Sequence, residues 1–157
     1  MDQTRRNVLR AGGGASLLAL LAGAGLLQPG TALAAADWNQ KAADAKDIKD
    51  AFDALGAEGR TESSDIVMVA PEIAENGAVV PIGATSKIPG TESIAILIAK
   101  NPNPLAAVFD IPAGTAPAVM TRVKMAQTSD VYVLVKAQGK YYATRKEIKV
   151  TIGGCGG

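Results

Sequence analysis

The residues able to do distinctive chemistry in this chain sit at its very end. The sequence closes Gly153-Gly154-Cys155-Gly156-Gly157, directly after the alternating run Ile148-Lys149-Val150-Thr151-Ile152. Cys155 is the sole cysteine, and the chain contains 0 histidines. A His-ligated metal, a Ser-His-Asp triad and a Cys-His dyad are therefore impossible within it. Four flanking glycines bring no apolar side chain to pack around the sulfur, which rules out a buried structural cysteine. A thiol with an ordinary pKa of ~8.5 is a few per cent thiolate near neutrality. The tail has no Lys, Arg or His to depress that pKa, and the terminal carboxylate opposes ionisation. Such a thiol makes a poor self-sufficient catalyst and a good attachment point. Glycine removes side-chain bulk and admits nearly all backbone conformations. The stretch from Ile152 to Cys155, extended, reaches ~10 Å beyond a folded domain. A frayed terminus is the ordinary fate of Gly-rich ends. An exposed thiol in an oxidising compartment, however, risks disulfide formation and over-oxidation, so its retention points to use. The residues read as a carrier: Cys155 is the covalent attachment site, Gly153, Gly154, Gly156 and Gly157 form a swinging arm, and the rest is a handle.

The other end supplies an address. Arg5-Arg6 precede an apolar stretch with no charged residue from Ala11 to Ala36, diluted by Gly12, Gly13, Gly14, Gly23 and Gly25 and broken by Pro29-Gly30. Ala32-Leu33-Ala34 or Ala34-Ala35-Ala36 then offers a small-x-small cleavage site. Residues 1–36 are thus expected to be a twin-arginine signal peptide, leaving a periplasmic protein with no membrane segment after cleavage. A membrane anchor is the competing reading of an apolar run of ~20 residues; the glycines, the Pro-Gly break and the cleavage site oppose it. Twin-arginine export moves folded proteins. With no cofactor site evident, assembly with a partner before export is the expected reason for the route.

These ends need a domain between them. The 157 residues are 48% hydrophobic, 20% charged and 4% aromatic, which suits one folded domain, residues 37–152, with a core of small and β-branched side chains. Lys+Arg 16 against Asp+Glu 15 gives a net charge of +1, which leaves no basic excess for nucleic acid. Removing Arg5, Arg6, Arg10 and Asp2 with the leader turns 16 − 15 into 13 − 14, or −1. Asp37 to Leu55 is predicted as one helix, with Ala45, Ile48, Phe52 and Leu55 on one stripe, Asp37 as N-cap and Gly56 as left-handed C-cap. About seven short strands follow. The predicted runs are Ile66–Ala70, Ala78–Ile82 after the Asn76-Gly77 turn, Ser93–Ala99, Leu105–Ile111, Val119–Met125, Val131–Val135, Tyr141–Thr144 after the Gln138-Gly139-Lys140 turn, and Ile148–Ile152. No helical segment separates them, so the expected architecture is mainly β, an antiparallel sandwich behind an N-terminal helix.

The ending Val150-Thr151-Ile152-Gly153-Gly154-Cys155-Gly156-Gly157, the twin-arginine leader and the helix-then-strands order together resemble SoxY, the thiosulfate-oxidation (Sox) sulfur-carrier family. The resemblance implies an immunoglobulin-like sandwich that pairs with a smaller β-sandwich subunit, SoxZ. It implies that Cys155 holds thiosulfate-derived sulfur species through a periplasmic cycle. A c-type haem enzyme would conjugate thiosulfate to the thiol, a hydrolase would release sulfate, and a sulfane dehydrogenase would oxidise the remaining sulfur. The carrier itself would be no enzyme and would hold no cofactor and no metal. Two rivals stay open on the residues. One is a ubiquitin-like sulfur carrier activated at Gly156-Gly157; the other is a structural module whose cysteine forms an intermolecular disulfide. A free-standing thiol enzyme lacks any general base.

Overall fold

Two short helices open the described part of the chain, which in the computed structural model runs over residues 39–151. α1 spans Gln40–Asp44 and α2 spans Ile48–Leu55. The single predicted helix is therefore broken, at Ala45–Asp47, and the capping residues give the reason. Ala45 is extended (φ −53°, ψ 140°), and the Asp47 carboxylate accepts from the Asp50 N–H at 2.8 Å, starting a new helix. A short acid competing for backbone donors favours such a restart over helix continuation. Asn39 caps α1 in the same way, accepting from Ala42 N–H at 2.9 Å, whereas Asp37 lies outside the described residues. Gly56 ends α2 in the left-handed region (φ 74°), as its type predicts.

Nine strands follow: β1 Thr61–Glu62, β2 Ile66–Val69, β3 Ile73–Ala74, β4 Val80–Ser86, β5 Thr91–Ile98, β6 Leu105–Asp110, β7 Ala118–Val123, β8 Ser129–Ala137 and β9 Lys140–Val150. Seven have four residues or more. The two predicted runs Tyr141–Thr144 and Ile148–Ile152 are one strand up to Val150, because Arg145-Lys146-Glu147 stay in register with β8 opposite Tyr132, Val131 and Asp130. The large sheet runs β1-β9-β8-β5-β6, with β3 also on β9; the small sheet runs β2-β4-β7. All long pairings are antiparallel. The parallel ones, which the sequence did not announce, are the two-residue contacts of β1 and β3 with β9.

The sheets pack face to face. Val80 and Ile82 of β4 and Val123 of β7 meet Ile96, Ile98, Val131 and Ile148 of the large sheet, all buried. The helices cover the opposite face of the large sheet: Ala45, Ala51, Phe52 and Ala57 pack on Ala95, Leu97, Leu134 and Ala143. Strands β5 and β8 are thus buried on both faces, which explains why Ile94–Ile98 and Val131–Val135 are continuous apolar runs. The edge strands β6 and β7 alternate instead.

Candidate functional site

The predicted carrier residues Cys155, Gly153, Gly154, Gly156 and Gly157, and the leader residues Arg5 and Arg6, lie outside the described residues. What the structure places is the root from which the C-terminal segment departs. The last regular pair of β8 and β9 is Ser129 with Ile148. Beyond it, β9 is held from both edges. On the β8 edge the Val150 N–H donates to the Thr128 hydroxyl at 2.9 Å. On the other edge the Lys149 N–H donates to the Glu72 carbonyl at 2.9 Å and the Thr151 N–H to the Ala74 carbonyl at 3.1 Å. The Thr151 hydroxyl also lies 3.5 Å from the Ala74 carbonyl and 3.4 Å from that of Glu75.

The loops around this root are knitted to each other. The Asn76 side chain accepts from the Ala78 N–H at 2.9 Å, making the predicted turn, and the Met125 N–H donates to the Gly77 carbonyl at 2.7 Å. Gly77 is there for space. A Cβ at that position would lie 2.5 Å from the Met125 carbonyl oxygen and 2.9 Å from Val150 Cγ1. The Asn101 amide donates to the Lys124 carbonyl and accepts from the Ala126 N–H, and the buried Ser129 hydroxyl accepts from the Lys100 N–H. The strand ends among loops hydrogen-bonded to one another.

A second feature was invisible in the sequence. A cleft of about 340 Å³ lies where β1 joins β9, lined by Glu58, Arg60, Glu62, Tyr132, Ala143, Thr144 and Arg145. Its charges are of both signs. Arg145 sits 3.8 Å from Asp130, and its pKa is pushed up, first by a hydrogen bond to Tyr132 and then by the field of Tyr132, Asp130 and Glu62. Arg60 stacks 3.6 Å over the Phe52 ring. No signal along the chain joins these residues; the parallel β1–β9 contact does. Arg145 is five residues upstream of Val150, ~17 Å along an extended strand, so the cleft is separate from the root. Among the described residues no buried side-chain polar atom lacks a partner, and no group of three His, Cys, Asp or Glu could hold a metal. Nor is any helix there long and apolar enough to cross a membrane.

Fold and root together define a mainly β protein whose last strand is anchored up to the start of the short segment that carries its thiol. The profile of the family described as sulfur oxidation protein SoxY matches residues 52–155, from α2 to the cysteine. The chain belongs to the SoxY family. The sulfur carrier protein SoxY from Chlorobium limicola f thiosulfatophilum is 44% identical, with a TM-score of 0.54, over 59% of this chain and 84% of that one. A chain from structural work on T cell specificity and activation by the bacterial superantigen toxic shock syndrome toxin-1 matches at 13% identity and a TM-score of 0.40, over 55% of this chain and 99% of that one. No curated protein matches the chain.

Proposed function

We propose that this protein is a periplasmic carrier that holds thiosulfate-derived sulfur covalently on Cys155 and presents it to partner enzymes, itself catalysing nothing. The observation that carries the reading is the anchored root: β9 is fixed from both edges at Val150 and Thr151, four residues before Cys155. A fixed root with a glycine tether beyond it is the mechanical requirement for an arm. Family membership and the Chlorobium carrier at 44% identity support the same reading.

In this reading the Cys155 sulfur bonds to the sulfane sulfur of thiosulfate, losing the thiol proton while two electrons pass to a c-type haem enzyme. Water then cleaves the terminal S–S bond on a hydrolase. Sulfate leaves, and a persulfide stays on Cys155 for a sulfane dehydrogenase to oxidise. The handle is proposed to be immunoglobulin-like, for the long strands β2-β4-β7 form one sheet and β9-β8-β5-β6 the other, the order of an A-B-E sheet facing a G-F-C-C′ sheet. A SoxZ-like subunit is the proposed partner, assembled before export on the Arg5-Arg6 leader.

The test is the intact mass of protein isolated from thiosulfate-grown cells, with and without reductant. Added sulfur species on Cys155 that reductant removes are expected, and Cys155→Ser should carry none and support no turnover. Sulfur found on the terminal carboxyl would favour the ubiquitin-like rival. A reductant-sensitive covalent dimer with no sulfur adduct would favour the structural disulfide.

A further inference from the structure

We propose that Thr128, together with the Ala74 carbonyl, forms a clamp that sets where and in which direction the chain leaves the sheet. Thr128 is thereby a positioning residue for delivery of the group on Cys155. The proposal rests on the carrier reading above. The regular β8–β9 ladder ends at Ser129 with Ile148, so Val150 and Thr151 would be free to fray without further bonds. Bonds from both edges prevent this: Val150 N–H to Thr128 Oγ1 on the β8 edge, and Lys149 N–H to the Glu72 carbonyl and Thr151 N–H to the Ala74 carbonyl on the other. A strand end tied on one edge can pivot about that edge; tied on both, it keeps its direction. The empty Cβ position of Gly77 lets Val150 seat against the Met125 loop.

The consequence can be estimated. Loss of the Thr128 bond leaves the strand end tied at Lys149 and Thr151 to one edge alone, so it loses direction rather than its root. A misdirected root places the carried group wrongly at a confined active site, so loss of the Thr128 bond is expected to lower delivery about two- to fivefold.

Thr128→Val keeps the shape of the side chain and removes the acceptor. Nitroxides on Cys155 and on Ser64→Cys, a loop position on the large-sheet side, report the spread of the arm by pulsed EPR. In Thr128→Val the distance distribution should broaden, and thiosulfate turnover with the partner enzymes should fall two- to fivefold. Alkylation of Cys155 by iodoacetamide should keep its wild-type rate, and Thr128→Ser should restore both spread and turnover. An unchanged distribution, or a broadened one with wild-type turnover, overturns the clamp. If Thr128→Val does not fold, Thr151→Pro, which deletes the opposite N–H at an exposed position, is put through the same measurements with the same expectations. Cys155→Ser separates the two ideas. If it keeps turnover, the carrier reading fails; if it loses turnover while the clamp variants keep theirs, only the clamp fails.

Discussion

The outer face of the large sheet lies under two helices, while among the described residues the outer face of the small sheet is bare, although both carry apolar side chains. On the covered side Leu97 is fully buried and Leu134 nearly so. On the bare side Val69 is 59% and Met120 69% exposed. Val69, Gly83 and Met120 form one cross-strand row there, with Val67, Thr85 and Ala118 in the next. Similar residue types thus contribute differently, because apolar area stabilises only when something removes it from water. On the large sheet the chain provides that cover itself, within twenty residues of its first described position.

Phe52 is where the comparison breaks most sharply. The Arg60 guanidinium lies 3.6 Å over its ring, and Tyr132 packs on it in a T-shaped pair with centroids 5.4 Å apart at 84°. Phe52→Ala should destabilise by about 3–5 kcal/mol, the usual range for deleting a buried aromatic. In a unit of this size that lowers Tm by more than ~10 °C. A change below ~1 kcal/mol would mean that the helices rest on the sheet without stabilising it.

The cap that starts the cover comes next. Asp47→Ala removes the acceptor for the Asp50 N–H and should cost about 1 kcal/mol, seen as a shift in urea midpoint at constant m-value. The residue is exposed, so no packing loss is mixed into the result.

How much of this was legible beforehand follows from how far each determinant reaches along the chain. The strand positions were readable because turn chemistry marks them locally: Asn76-Gly77, Asn101-Pro102-Asn103-Pro104 and Gln138-Gly139 all fall between strands. The stripe Ala45, Ile48, Phe52 and Leu55 does pack as one cluster, yet its period was satisfied equally by a broken helix, so the break at Ala45–Asp47 stayed hidden. Arg145-Lys146-Glu147 read as a gap because charge imitates a turn, while here the Lys146 amine reaches the Ala70 carbonyl at 3.0 Å and the ladder runs on. Cys155 stood out from composition alone. Thr128 and Ala74 could not, because they act on Val150 and Thr151 across 22 and 77 residues of sequence. The chemistry was local in the sequence and its positioning was not.

The smallest effect is expected on the bare face, and there its sign decides. Gly83 lies in the middle of β4, the central strand of the small sheet, with Met120 and Val69 packed over the position its Cβ would take. An added Cβ would meet Met120 Cε at 2.9 Å, Met120 Sδ at 3.4 Å and Val69 Cβ at 3.3 Å. The two closest demands fall on a thioether end that can swing into water and on an exposed residue of the edge strand β2. Against them stands the conformational entropy a glycine gives up when it is fixed in a strand, so Gly83→Ala should stabilise by about 0.5 kcal/mol. The same substitution at Gly77, six residues earlier, meets a backbone carbonyl that cannot swing aside, and should destabilise by about 1–3 kcal/mol. Urea unfolding of the two variants side by side checks both signs. A loss above ~1 kcal/mol at Gly83 would show that the bare face is packed as tightly as the covered one, and the contrast between the two faces would fail.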